Sequence, residues 1–245
     1  MSGTDRPASA ANFVETTAGY WQEIEPAPPT PEQPPYRYGY PARLPDGRTL
    51  RLPIRERPGA PGRAVASFIP NHGSFEVIDL LQQEITAMAR PLEPDVIVAL
   101  PTLGLALGPG VAKALGHRHY APLGTSRKFW YRDELSAPVT SITTPDSARR
   151  LYLDPNLRSR VEGRRAILVD DTISSGTTIL AAAALLERAG AEIVGLAFAM
   201  SQSDVWRQAL GATRPDLPPK VRYVFQSPLL NLTADGWVPE ESQAY

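Results

Sequence analysis

The run Arg165-Ala-Ile-Leu-Val-Asp-Asp-Thr-Ile-Ser-Ser-Gly-Thr-Thr178 restricts the possible folds more than any other stretch of this chain. Ala166 to Val169 is a short, unbroken apolar segment, the pattern of a strand covered on both faces. It runs directly into two adjacent carboxylates, Asp170 and Asp171. Thr172 to Gly176 then read as a loop, and "TTILAAAALLERAG" (177–190) as a helix that Gly190 stops. A buried strand that feeds a helix through a tight loop is the repeating unit of a parallel sheet with helices on its faces. Such sheets take ligands beyond the carboxyl ends of their strands, which is where the two acids fall.

The same alternation runs through most of the chain. Ser74 opens a predicted helix with Val77, Ile78, Leu81, Ile85 and Met88 at helical spacing. "DVIVAL" (95–100) is a compact strand, followed by a glycine-bearing loop and a helix to Leu115. "SRKFWYR" (126–132) and "RLYLD" (150–154) have strand character, as do "AEIVGLAFAM" (191–200) and "KVRYVF" (220–225), with a short helix in "SDVWRQALG" (203–211). The fold class expected is α/β, a mostly parallel central sheet flanked by helices. Residues 26–35, "PAPPTPEQPP", hold six prolines and can form neither helix nor paired strand. Residues 1–35 are therefore expected to be a poorly ordered arm and residues 36–245 the folded domain. Just after the arm, a Pro-Asp-Gly turn (45–47) between two short strand-like runs predicts a hairpin.

Composition narrows the partners. A net charge of −1 gives no bulk attraction to nucleic acid or an anionic membrane, so an anionic ligand has to be met by a local cluster. There are no cysteines, which excludes disulfides and thiolate chemistry. The longest uncharged run, 96–112, is interrupted by Pro101, Gly104, Gly108, Pro109 and Gly110 and does not read as a membrane span. The first residues lack an apolar segment of signal-peptide length, and a cytoplasmic location is expected. His117 and His119 form a His-x-His pair, read as a solvated turn because no further ligands lie nearby in the sequence.

What can the acidic pair and the loop do together? A helix N-terminus offers free backbone N–H groups and the positive end of the helix dipole, which suits a phosphate. Ser174, Ser175, Thr177 and Thr178 add hydroxyls, and Gly176 allows close backbone approach. Two carboxylates beside a phosphate make sense if sugar hydroxyls or a hard cation sit between them. A helix cap needs one such residue, not two acids followed by a donor loop.

This stretch closely resembles the phosphoribosyl-pyrophosphate motif of the type I phosphoribosyltransferases: apolar strand, acidic pair, then a Ser/Thr/Gly phosphate loop. Thr172 stands where an aliphatic residue is usual. The similarity extends in order from about residue 74 to residue 201. "VIVALPTLGLALGPGVAKALG" (96–116) resembles the pyrophosphate loop and helix of adenine- and xanthine-type members, so Thr102, Leu103 and Gly104 are expected to offer backbone N–H groups to pyrophosphate. "TSRKFWYRDEL" resembles the segment that carries an Arg-Lys pair ahead of a mobile lid, which assigns Arg127 and Lys128 to the pyrophosphate and residues 133–149 to the lid.

The resemblance implies an enzyme that transfers a 5-phosphoribosyl group from phosphoribosyl pyrophosphate to a nucleobase in nucleotide salvage. Asp170, Asp171 and Lys128 are the expected catalytic residues. Thr172 and the loop Ser174, Ser175, Gly176, Thr177 and Thr178 are expected to bind the phosphoribosyl moiety. Mg²⁺ is the implied cofactor, bound to Asp170 and Asp171 through water, and a homodimer is the implied assembly. Residues 36–73 and 221–245 are candidates for a small hood over the base. Hypoxanthine/guanine-type members place an aspartate at the position of Ser174, so a purine acceptor of another type is expected. Two alternatives stay open, a ligand-sensing regulator without catalysis and an orotate- or pyrimidine-type transferase. Among the aromatics, Phe129, Trp130, Tyr131 and Trp206 are candidates for stacking on a base or for packing.

Overall fold

The structure, a computed structural model, describes residues 23–37, 39–139 and 149–240. Most of the proline-rich arm (1–22) and the middle of the expected lid (140–148) lie outside the described residues. The strands are β1 (Tyr40–Arg43), β2 (Thr49–Leu52), β3 (Ile54–Arg57), β4 (Ala60–Ala66), β5 (Val96–Ala99), β6 (Ala121–Pro122), β7 (Ser136–Pro138), β8 (Arg150–Tyr152), β9 (Arg165–Ile173), β10 (Glu192–Gln202), β11 (Val221–Ser227), β12 (Leu229–Leu232) and β13 (Trp237–Pro239). The helices are α1 (Phe75–Ala89), α2 (Gly108–Ala114), α3 (Arg158–Val161), α4 (Thr177–Arg188) and α5 (Val205–Thr213). They divide into two compact units, one of residues up to Val77 and from Phe225 onward, the other Ile78–Val224.

In the first unit the predicted hairpin is present. β1 and β2 pair antiparallel with Arg43 opposite Thr49, and Gly47 turns the chain at φ +87°. The end of the arm is tied to this hairpin. Glu25 and Thr49 exchange backbone hydrogen bonds of 2.8 and 3.0 Å, and Arg51 pairs with Glu25 and Glu32. A second sheet has the order β13-β12-β4-β3, so strands from both segments expected as hood elements assemble into one sheet. Tyr36, Ile54, Ala64, Leu230 and Trp237 form its core.

The second unit carries the five-stranded sheet, in the order β11-β10-β9-β5-β6. The pairs β10–β9, β9–β5 and β5–β6 are parallel, as the alternating pattern requires. All four residues of β5 and residues 166–170 of β9 are buried, which explains why both read as solid apolar runs. α4 turns Ile179, Ala182, Ala183, Leu185 and Leu186 inward at helical spacing, and these join Val98, Leu168, Phe198 and Trp206 in one core. Among the described residues, no helix is long and apolar enough to cross a membrane.

Two sequence expectations are corrected here. Residues 126–132 are not a strand; after a single bridge between Gly124 and Tyr152 they turn outward, and Tyr131 N–H donates to the Lys128 carbonyl at 3.0 Å. Their run of large aromatics, Phe129 to Tyr131, has strand propensity, but instead of joining a ladder these side chains pack on one another. The Phe129 and Trp130 rings meet edge-on at 4.9 Å, and Tyr131 lies 5.6 Å from Tyr152. Residues 136–138, assigned by sequence to the lid, are instead the strand β7, paired with β8, with Ser136 and Ala137 buried.

The contact between α2 and the sheet gives a stability test. A Cβ added to Gly108 would lie 2.5 Å from Ala99 Cβ. Helix propensity alone favours alanine over glycine by about 1 kcal/mol, whereas overpacking a tight contact costs about 1–3 kcal/mol. Gly108→Ala is therefore expected to lower the urea midpoint at unchanged m-value; a raised midpoint would show that α2 does not press on β5.

Candidate active site

A stagger between neighbouring strands creates the site. β5 ends with Ala99 opposite Val169, but β10 continues beside β9, pairing Phe198 with Asp170, Met200 with Thr172 and Ser201 with Ile173. β9 thus extends to Ile173 rather than stopping at Val169 as read from the sequence, and the acidic pair sits inside its last turn of pleat. On the edge that β5 leaves, Leu100 N–H donates to the Val169 carbonyl at 2.9 Å and the chain turns through Pro101 to Gly104. Gly104 packs so closely that an added Cβ would be 2.6 Å from Val169 O and 2.9 Å from Asp170 Oδ1. Its N–H donates to the Asp170 carboxyl.

Asp170 is 8% exposed, and it also accepts the Asp171 N–H at 2.9 Å. Asp171 Oδ2 accepts the Thr172 hydroxyl at 3.0 Å, and the two carboxyls hydrogen-bond each other. Burial pushes the Asp170 carboxyl well above the usual carboxylate range, with the adjacent Asp171 charge adding to it. Burial also raises Asp171, against the hydrogen bonds it accepts. Two acids held this close and this dry call for a counter-charge or for donor hydroxyls.

A cleft of about 290 Å³ opens over them. Of the residues expected from sequence, Thr102, Leu103, Asp170, Asp171, Thr172 and Thr178 line it together. Gly104 lies beneath, against Asp170. Ser174 and Ser175 are exposed on the loop, where the Ser175 and Thr177 hydroxyls meet at 2.9 Å. Gly176 has φ +80° and sits over the Leu210 side chain, 3.0 Å from where a Cβ would be. The first backbone bond of α4 runs from Leu180 N–H to Gly176 O, which leaves the preceding amides without helical acceptors, as an anion site needs.

Arg127 and Lys128 are exposed and do not line the cleft; Arg127 pairs with Asp133 at 2.9 Å. Sequence reasoning missed Thr125, Arg149 and Arg150, which do line it. The arginine doublet was visible, but its side of the chain depends on pairing between β7 and β8, which local pattern does not reveal. Trp206 is fully buried and donates its indole N–H to Ser201 Oγ at 2.9 Å, so it is core, while Phe129 is 97% exposed. His117 is half-buried with Nε2 at 2.9 Å from the Pro94 carbonyl, rather than solvated.

Residues 71–209 match the family described as the phosphoribosyl transferase domain. An adenine phosphoribosyltransferase of Chlorobium phaeobacteroides is 30% identical over 159 residues, 64% of this chain and 85% of that protein. The chloroplastic amidophosphoribosyltransferase 3 of Arabidopsis thaliana is 32% identical over 117 residues, 48% of this chain but 21% of that protein. Among solved structures, the adenine phosphoribosyltransferase of Thermoanaerobacter pseudethanolicus superposes with a TM-score of 0.58 at 18% identity, covering 71% of this chain and 95% of that one, which shows a common fold.

The raised Asp170 carboxyl has a consequence for the ligand-free protein. An acid whose folded pKa is raised binds its proton more tightly when folded, so stability falls as pH climbs from the unfolded value, about 3.9, through the higher folded value. Asp170→Asn removes the ionisation and keeps an acceptor for the Gly104 N–H. We expect its denaturation midpoint at neutral pH to equal or exceed that of the natural protein, with a flatter pH profile; a lower midpoint with an unchanged profile would contradict the assignment of the shift.

Proposed function

The chain belongs to the phosphoribosyl transferase family, and on that premise we propose that its cleft transfers the 5-phosphoribosyl group of phosphoribosyl pyrophosphate to adenine. A nucleoside 5′-monophosphate and pyrophosphate are the products. The observation that carries this reading is the convergence, in one cleft, of the Thr102–Leu103 turn, the Asp170–Asp171 pair and Thr178 at the start of α4. Adenine as acceptor rests on the names of the relatives, of which the one from Chlorobium phaeobacteroides covers most of its own length.

In the reaction the bond from C1 of the sugar to the pyrophosphate oxygen breaks, a bond from C1 to a ring nitrogen of the base forms, and the base's ring N–H proton passes to the leaving pyrophosphate or to water. Positive charge develops at the sugar and negative charge on the leaving group, so the protein acts through positioning and electrostatics. Asp170 and Asp171 would hold the ribose hydroxyls, their free lone pairs accepting from vicinal O–H groups. The amides and hydroxyls of residues 174–178 would cradle the 5′-phosphate, and the backbone of 102–104 the pyrophosphate. Arg127 and Lys128, now outside the cleft, would approach the pyrophosphate from their loop.

The donor set fits Mg²⁺. Two adjacent carboxylates and the Thr172 hydroxyl are hard oxygen ligands, and among the described residues no group of three or more His, Cys, Asp or Glu offers a closed metal cage. Mg²⁺ would be held by these carboxylates and would supply charge neutralisation to the leaving pyrophosphate. A cytoplasmic homodimer is the working form in this proposal. No observation on the chain favours the sensor or the orotate-type reading over it.

Asp170→Asn and Asp171→Asn should each reduce kcat/KM on the order of 100-fold, the loss typical of one preorganised electrostatic contact, while the variants stay folded. Wild-type turnover in both would overturn the site. Specificity constants across adenine, xanthine, hypoxanthine, guanine and orotate test the acceptor. Ser174 is exposed and its hydroxyl cannot take a proton at neutral pH, so 6-oxopurines lack the base that an aspartate would supply there. Adenine is expected to be the best substrate, and hypoxanthine or guanine in first place would show that another group supplies the base.

A further inference from the structure

The cleft that holds the acidic pair is also lined by two arginines, Arg149 and Arg150, at the start of β8. Arg150 is partly buried, and its guanidinium donates to Ser136 Oγ at 2.7 Å. That acceptor is a neutral hydroxyl. Among the described residues no carboxylate lies within ion-pair distance of Arg149 or Arg150, whereas Arg127, Arg158, Arg165, Arg207 and Arg214 each have one. A guanidinium has five N–H donors in a planar fork, and the contact to Ser136 uses one of them.

The position of Arg150 is fixed from several sides. It opens β8, where Pro138 opposite it and Ser136 opposite Tyr152 set the register. Ser136 Oγ itself donates to the Asp133 carbonyl at 2.8 Å, and the Arg188 guanidinium at the end of α4 donates to the Ser136 carbonyl at 2.8 Å. Beside it, the Arg149 carbonyl accepts the Val139 N–H at 2.7 Å. The arginine thus stands on a strand buttressed by α4, the helix that also presents Thr178 to the cleft. By contrast Arg127 is exposed, outside any strand or helix, and already paired with Asp133. A guanidinium that has no carboxylate partner among the described residues, and that stands on regular structure at the cleft, suits an anionic ligand.

We propose that Arg150 is the resident pyrophosphate-binding cation of this cleft, forming charge-assisted hydrogen bonds to the leaving group beside the Thr102–Leu103 turn. This rests on the phosphoribosyl reading above and assigns within it a residue that the sequence did not single out. Ser136 acts as its positioning residue, holding the fork through one N–H. Arg149, exposed at the mouth of the same cleft, adds charge at longer range.

Binding measurements separate this assignment from the reading it rests on. Titration calorimetry in Mg²⁺ would compare inorganic pyrophosphate, ribose 5-phosphate and phosphoribosyl pyrophosphate on the intact chain. Arg150→Gln is expected to weaken pyrophosphate and phosphoribosyl pyrophosphate on the order of 10- to 100-fold, the worth of hydrogen bonds to a charged group, and to leave ribose 5-phosphate within about twofold. Arg150→Lys keeps the charge but loses the fork, and a smaller loss confined to the same two ligands is expected; it serves as the test if the glutamine variant does not fold. Unchanged pyrophosphate affinity in the folded variants, or an equal loss for ribose 5-phosphate, overturns the role of Arg150 while the phosphoribosyl reading stands. If the natural protein binds none of the three ligands, the phosphoribosyl reading itself fails.

Discussion

Where β5 stops at Ala99 and β9 continues beside β10, the backbone of Gly104 closes over the exposed edge and touches the Asp170 carboxyl. The rest of the site depends on this contact. It leaves no room for a Cβ at residue 104, it points a backbone N–H at a buried acid, and it removes that acid from bulk water. A carboxyl in such a place costs the apo protein free energy, because its charged form is poorly solvated. In the proposed function, sugar hydroxyls or a cation entering the cleft would offset that cost. Function and local instability therefore have one origin, the stagger of two parallel strands.

The remaining electrostatics follow from the ligand that such a pair implies. The chain as a whole is nearly neutral, so an anion site has to be assembled locally. Three sources converge. The amides ahead of Leu180 at the start of α4 carry partial positive charge, the 102–104 turn presents its backbone, and β8 brings Arg149 and Arg150 to the same opening. Of these, the first two are backbone devices, insensitive to side-chain identity apart from the glycines that allow them. The arginines are side-chain devices and so depend on strand register.

Much of the fold was legible because parallel strands buried on both faces have to be apolar throughout. Val96–Ala99, Ala166–Val169 and Ile193–Met200 carry that signature, and α4 carries its complement at helical spacing. The segment 126–132 misled for a physical reason. Consecutive large aromatics have high strand propensity, yet a strand also needs a partner edge, and β6 is only two residues long. Its aromatics instead satisfy one another. β7 was hidden for the converse reason: Ser-Ala-Pro has no strand propensity, and pairing with β8 across the intervening residues makes it one.

By itself the sequence determined the class of fold, the position of the acids at the carboxyl end of a strand and the glycine- and hydroxyl-rich loop after them. These are local properties, set by runs of neighbouring residues whose periodicity and hydrogen-bonding capacity do not depend on distant partners. Only the tertiary structure decided which separate segments share the cleft. It brought Thr102 and Leu103 to Asp170, left Arg127 paired to Asp133 outside, and placed Arg150 inside. Side-chain direction in a sheet follows from register, and register is fixed by contacts between residues far apart in the chain, which no local pattern encodes.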